Sequence, residues 1–305
     1  MADTDVVSFH RMLLADPVRM RGYRAAIHEI VRPGDVVLDV GSGTGVLGLF
    51  ACQGGAARVI CVERTEIISI AQQLAIANGY HDRMEFMRTD ALEAQVGPVD
   101  VIVSELIGKS VIGQDMTGIV GHCRDRWLRP GGRMLPMAAR LLVAPVEEGE
   151  FDRKIRLPQP AEFGLDFCAF VELSSNRPIS LRVPAKALLA PGQVVYTYEA
   201  ATAPLGCQFD ATVCYNPERR GRLAGYCAWF TAQLSPSVGL SNAPPGTDSW
   251  DAYVHLLPTP VEVRPGDALE LRFRGREGSP VIWIWDTDLR RGAVPVASFR
   301  QSSIY

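Results

Sequence analysis

The chain has 305 residues, 47% apolar and 21% charged, which is enough to build one large globular domain or two moderate ones. Its 31 basic and 34 acidic side chains leave a net charge of −3, which excludes the basic footprint of a nucleic-acid-binding protein. Charged residues from Asp3 to Arg19 interrupt the start, and no apolar run reaches the roughly 18 residues of a membrane span, so neither a signal peptide nor a membrane partner is expected. In chain order, apolar periodicity predicts helices over 16–31, 46–53, 67–78 and 116–127, alternating with strands at 36–40, 58–62, 84–88, 100–104 and 133–135. That alternation implies a doubly wound α/β, Rossmann-like domain. From about Pro136 the texture changes to short β-rich runs such as Arg140–Ala144, Gln193–Tyr198, Gly225–Phe230, Ala268–Phe273 and Val281–Trp285, separated by Pro-Gly turns. These describe a β-barrel or sandwich. The expected division is an α/β domain over 1–136 and a β domain over 137–305.

The segment Asp35–Phe50 carries most of the functional signal. Val36–Val40 reads as a buried parallel strand, and Gly41, Gly43 and Gly45 form a tight turn leading into a helix. The next strand ends on Glu63, about 20 residues on, where an acid is placed to hydrogen-bond a ribose diol. The glycine spacing is G-x-G-x-G, not the G-x-G-x-x-G of dinucleotide sites, and Asp39 stands two residues before the first glycine. A carboxylate there repels phosphate but suits a cationic amino-acid ligand. S-adenosylmethionine, with an ammonium and a sulfonium, fits best; a dinucleotide or a turn that binds nothing are the alternatives. Asp90, at the end of the third strand, is placed to accept from the adenine amino group, and Glu105 follows the fourth strand. Ligands of open α/β sheets sit beyond such strand ends. The seven cysteines are scattered and unpaired, which reads as buried, reduced thiols in a cytoplasmic protein, and neither they nor the five histidines have metal-ligand spacing.

Taken together, these residues resemble the protein arginine methyltransferases, in which a cofactor-binding domain of this type runs into a β-barrel. His10-Arg-Met-Leu-Leu-Ala-Asp16-Pro-Val-Arg19 is similar to the family's N-terminal segment, and Ser104-Glu105-Leu-Ile-Gly108 to the start of its double-glutamate loop. Arg124-Asp-Arg-Trp127-Leu-Arg-Pro130, Gly225–Phe230 and Asp248-Ser249-Trp250 follow in family order. The resemblance implies that Asp39, Gly41, Gly43, Gly45 and Glu63 face S-adenosylmethionine and that Arg19 holds its carboxylate. Glu105 is the expected catalytic carboxylate, placed with the cofactor residues as well, and His10 is a pocket residue, a base, or a surface or structural residue. Residues 164–200 match the length of the region carrying the family's dimerisation arm, which implies a homodimer.

Three departures fall on the acceptor side. The second glutamate of the loop is Gln114, followed by Asp115; the histidine of the family's T-H-W loop is Ser249, beside Trp250; and the aromatic-rich N-terminal helix is missing from this sequence. Gln114, Asp115, Ser249 and Trp250 are therefore the expected substrate-binding residues. A neutral glutamine weakens a guanidinium clasp by about 1.5–3 kcal/mol. The expectation drawn from these changes is a methyltransferase acting on a small nitrogenous metabolite, such as an indole-type aromatic, in specialised bacterial metabolism. Arginine methylation with a weakened clasp and a non-catalytic cofactor-binding scaffold are the alternatives.

Overall fold

The computed structural model describes residues 3–113, 115–153, 164–247 and 249–304. Helices α1 (Asp3–Ala15) and α2 (Pro17–Ile30) open the chain. The periodicity predicts one helix beginning at Asp16; the structure adds α1, which ends where Asp16 caps α2 and Pro17 occupies its first turn. The α2 residues Tyr23, Ala26, Ile27 and Ile30 form a buried stripe.

A parallel sheet follows, built from β1 (Val36–Val40), β2 (Arg58–Glu63), β3 (Met84–Arg88), β4 (Val99–Ser104) and β5 (Leu128–Leu135), with α3 (Val46–Gln53), α4 (Ile68–Ala77) and α5 (Met116–Trp127) as crossovers. The strand order is β3-β2-β1-β4-β5, so the order reverses between β1 and β4, and a ligand crevice is expected at their carboxyl ends. Val37, Leu38, Val101, Ile102 and Val103 are fully buried, because helices cover both faces of the sheet. The Pro130-Gly131-Gly132 turn lies inside β5: Val99 pairs with Leu128 and Val101 with Arg133, so the residues between bulge out of the ladder.

The rest is antiparallel. Its elements are β6 (Ala138–Glu147), α6 (Glu150–Arg153), α7 (Cys168–Ser175), β7 (Ile179–Leu181), β8 (Gln193–Glu199), β9 (Gln208–Tyr215), β10 (Gly221–Gln233), β11 (Gly239–Ser241), β12 (Ala252–Val263), β13 (Asp267–Arg276), β14 (Ile282–Arg291) and β15 (Val294–Ser302). One sheet runs β7-β12-β10-β6-β8 with β11 on β10, and a second runs β15-β14-β13-β9. Alternation in β13 buries Leu269, Leu271 and Phe273 and leaves Glu270 and Arg272 outside. Between the sheets, His255 lies 4.9–5.1 Å, centroid to centroid, from Phe273, Trp283 and Trp285, and burial pushes its pKa down to about 3, so it stays neutral. Five cysteines are buried as expected, but Cys168 and Cys214 are exposed: Cys168 opens the outward-facing α7, and Cys214 occupies an outward position of β9.

The two halves share one continuous buried apolar cluster. On the α2 side, the Glu29 carboxylate accepts from the hydroxyls of Ser235 (2.5 Å) and Ser237 (2.7 Å). On the α5 side, Arg124 donates to the carbonyls of Ala200 (2.9 Å) and Ala203 (2.8 Å). Among the described residues no helix is long and apolar enough to cross a membrane.

Candidate functional site

The glycine turn sits at the end of β1. Gly41, Gly43 and Gly45 all have left-handed backbone, with φ of 67°, 53° and 73°. Space is short as well: a Cβ on Gly43 would lie 2.5 Å from the His10 ring, and one on Gly45 2.9 Å from the Ala71 Cβ. The turn is thus closed in by α1 and α4. Burial, against the pull of Glu63, lowers the His10 pKa below that of an ordinary imidazole, and Arg19 lowers it further. His10 is therefore a neutral wall of the crevice near pH 7.

Two carboxylates face the turn. Glu63 accepts from the backbone N–H of Gly43 (3.1 Å) and Thr65 (2.8 Å), so the acid expected at the ribose also braces the loop. Asp39 is fully buried; its Oδ2 accepts from the Gly48 N–H at 2.9 Å, and its Oδ1 has no partner. Burial pushes its pKa up to about 7, against the lowering effect of the Gly48 N–H. A buried carboxylate oxygen without a donor fits a cationic, hydrogen-donating ligand. Asp90 accepts from the Leu92 N–H at 2.9 Å and caps the turn after β3.

Across the crevice, the Ser104 hydroxyl donates to the Val40 carbonyl at 3.1 Å and ties the end of β4 to β1. Glu105, next in the chain, is ion-paired with Arg19, and both side chains are largely buried. Arg19 therefore faces the catalytic candidate directly, where the resemblance gave it only the cofactor carboxylate. Burial pushes the Glu105 pKa up to about 7, and the Arg19 guanidinium holds it from rising further. That guanidinium stacks on the buried Trp250 ring, 4.9 Å from its centroid, and Trp250 meets Phe230 edge-on at 5.2 Å. Trp250 thus packs against the barrel residue Phe230 and also carries the Arg19 guanidinium.

Arg19 is aimed by Asp16. The Asp16 carboxylate accepts from the N–H of Val18 (3.0 Å) and Arg19 (3.1 Å), and its second oxygen accepts from the hydroxyls of Thr247 (2.9 Å) and Ser249 (2.6 Å) and the Ser249 N–H (3.0 Å). Burial alone would raise this carboxyl; the hydrogen bonds, led by the Ser249 hydroxyl, outweigh it and lower the pKa. Ser249 thus replaces a charged partner with a neutral one without leaving Asp16 unsatisfied. The sequence did not single out Thr247, because nothing local links it to a residue 231 positions away. Ser249→Ala is expected to destabilise the protein by about 1.5–3 kcal/mol, the worth of a hydrogen bond to a charged group, as read from the urea unfolding midpoint.

Gln114 lies outside the described residues. Asp115 is half-buried at the start of α5, with φ of 53°, and Val111 in the same loop has φ of 67°. Left-handed backbone at such residues costs on the order of 1–3 kcal/mol each and persists where packing over-determines it.

With this geometry in hand, the relatives are informative. A family profile described as ribosomal protein L11 methyltransferase (PrmA) matches residues 24–118. Protein arginine N-methyltransferase 6 of Xenopus laevis is 31% identical over 278 residues, covering 84% of this chain and 80% of that protein. Protein arginine N-methyltransferase PRMT10 of Oryza sativa subsp. japonica is 32% identical over 304 residues, covering 86% and 78%. Among solved structures, that of Arabidopsis thaliana protein arginine methyltransferase 10 superposes with a TM-score of 0.83 at 22% identity, covering 97% of this chain and 99% of that one. The Trypanosoma brucei PRMT1 enzyme–prozyme complex with AdoHcy gives 0.84 at 23%, covering 96% of each chain.

These relatives overturn the expectation of a small nitrogenous or indole-type acceptor. That expectation rested on Gln114, Ser249 and the missing aromatic-rich N-terminal helix, yet Ser249 keeps Asp16 satisfied, and the similarity spans both halves of the chain. With two relatives above 30% identity aligned over most of their length, the chain belongs to the protein arginine N-methyltransferase family and is an S-adenosylmethionine-dependent methyltransferase.

Proposed function

We propose that this enzyme methylates arginine side chains of proteins. The observation that carries the proposal is the Arg19–Glu105 pair: the leading catalytic carboxylate already binds a guanidinium, in a buried setting walled by Trp250. S-adenosylmethionine supplies an electrophilic methyl on a sulfonium. The transfer forms one N–CH3 bond as the S–CH3 bond breaks, leaves S-adenosylhomocysteine, and releases one proton from the guanidinium nitrogen.

Asp39, Glu63, the three glycines, His10 and Asp90 would hold the cofactor, with Arg19 available to its carboxylate. Ionised Glu105 would orient the acceptor guanidinium and stabilise its charge as the methyl arrives. Ser249 and Thr247 act through Asp16 to aim Arg19, and Gln114 and Asp115 belong to the loop that borders the acceptor. The division into domains over 1–136 and 137–305 is part of this reading, supported by the change from parallel to antiparallel sheet between Leu135 and Ala138. A homodimer is supported by the exposed apolar residues Leu165, Phe170 and Leu173 in and before α7.

The test is incubation with labelled cofactor against an Arg-Gly-rich peptide, the same peptide with Lys for Arg, and free arginine. Label confined to the Arg peptide is expected. Restoring the second carboxylate with Gln114→Glu should raise kcat/KM about tenfold or more, from about 1.5–3 kcal/mol of added charge-assisted bonding. Equal labelling of the Arg and Lys peptides would sink the proposal.

A further inference from the structure

We infer that the end of β13, through Glu277, is the seat that positions the acceptor loop, the segment between Glu105 and α5. Two independent observations meet there. Ile112, fully buried in the middle of that loop, rests on Gly275 of β13: a Cβ at Gly275 would lie 2.6 Å from the Ile112 Cδ1 and 2.4 Å from the Phe209 ring. Two residues further on, Glu277 reaches the start of α5, where Oε1 accepts from the Thr117 N–H at 3.2 Å and Oε2 accepts from the Thr117 hydroxyl.

The cap is needed because α5 has none of its own. Asp115 holds the N-cap position in left-handed backbone, and its side chain makes no capping bond. The first N–H groups of a helix have no intrahelical acceptor and must find one elsewhere. Glu277 supplies one from 160 residues away, and its negative charge suits the positive end of α5. It is itself held in place: the same carboxylate accepts from the Cys207 N–H at 3.0 Å, and the Glu277 N–H donates to the Cys207 carbonyl at 2.8 Å. Leu205, just before Cys207, packs on α5 where a Cβ at Gly121 would lie 2.5 Å from its Cδ2.

The acceptor loop is therefore anchored at one end by β4 and at the other by the barrel. Glu277 is a positioning residue: it does not face the reacting atoms but sets where residues 106–113 and 115–117 stand. Its kinetic consequence rests on the arginine-acceptor proposal above; its structural consequence does not.

Full-length Glu277→Gln and Glu277→Ala carry the test, read by amide exchange over residues 106–118 without ligand, by calorimetry with S-adenosylhomocysteine, and by kcat and KM with an Arg-Gly-rich peptide. In Glu277→Ala the loop and the first turn of α5 should exchange about tenfold faster, the scale of losing a helix cap. Glu277→Gln, which keeps an acceptor oxygen, should fall between. Affinity for S-adenosylhomocysteine should stay within about twofold of wild type, and peptide KM should rise about fivefold or more with a smaller change in kcat. Wild-type exchange over 106–118 in both variants overturns the inference, as does a loss of S-adenosylhomocysteine affinity equal to the rise in KM. If wild-type enzyme fails to methylate the peptide, the arginine proposal falls, and the exchange comparison alone decides the role of Glu277.

Discussion

Glu105→Gln is expected to lower kcat for methyl transfer by about 10²–10³-fold, the usual cost of removing a preorganised electrostatic partner of the transition state. Affinity for S-adenosylhomocysteine should change far less, since Asp39 and Glu63 remain. The fold should survive. Breaking a buried ion pair costs about 3–5 kcal/mol when the remaining charge is left uncompensated. Here burial already pushes the Glu105 pKa up to about 7, so its charge is costly to keep, and the Arg19 guanidinium keeps the Trp250 face. A neutral amide is therefore a modest change for stability and a large one for catalysis. The wild-type pH profile follows from the same group. Transfer needs the ionised carboxylate, so kcat/KM should rise about tenfold per pH unit below about 7 and level off above it. A flat profile from pH 5.5 to 8, or Glu105→Gln within about threefold of wild type, would remove Glu105 from the mechanism.

Asp39→Ala should weaken S-adenosylhomocysteine binding by about 10–100-fold, as expected for losing a buried charge-assisted partner worth about 1.5–3 kcal/mol. Asp39 also marks the pH dependence of the ligand-free protein. Its folded pKa, about 7, lies above the unfolded carboxylate value, so the folded state holds the proton more tightly between about pH 4 and 7. The stability this contributes is complete below that window and is lost as pH rises through it. Each pH unit is worth at most about 1.4 kcal/mol. Across pH 5–7, where carboxyls of lowered pKa such as Asp16 and Asp100 are already ionised, wild-type unfolding free energy should fall more steeply than that of Asp39→Asn. Matching slopes would mean that Asp39 does not hold its proton more tightly in the folded state, and unaltered cofactor affinity in Asp39→Ala would place the ligand elsewhere.

Local patterns carried much of the site. The helices over 46–53 and 116–127 and the strands at 36–40 and 84–88 occupy the residues their periodicity marks, because their apolar runs and glycine boundaries agree with the tertiary environment. Asp39, Glu63 and Glu105 stand at or beside the strand ends that the pattern marks, for the same reason. The acceptor was misread because three local departures were taken together as a change of substrate, without the partners that the fold brings to the groups they leave. Replacing a charged partner matters only if nothing else satisfies the group it served, and the hydroxyls of Thr247 and Ser249 satisfy Asp16 together.

What the sequence determined alone was the alternation of strand and helix, the glycine turn, the acids at the strand ends and the change to β-rich texture after Pro136, because each is written in the pattern of neighbouring residues. Only the tertiary structure decided that Arg19 pairs with Glu105 over Trp250, that a barrel loop holds Asp16, and that Glu277 caps α5. These partners lie 86 to 233 residues apart. No periodicity links them, since their meeting depends on how two sheets pack, and the free energy that joins them comes from burial shared across the whole core.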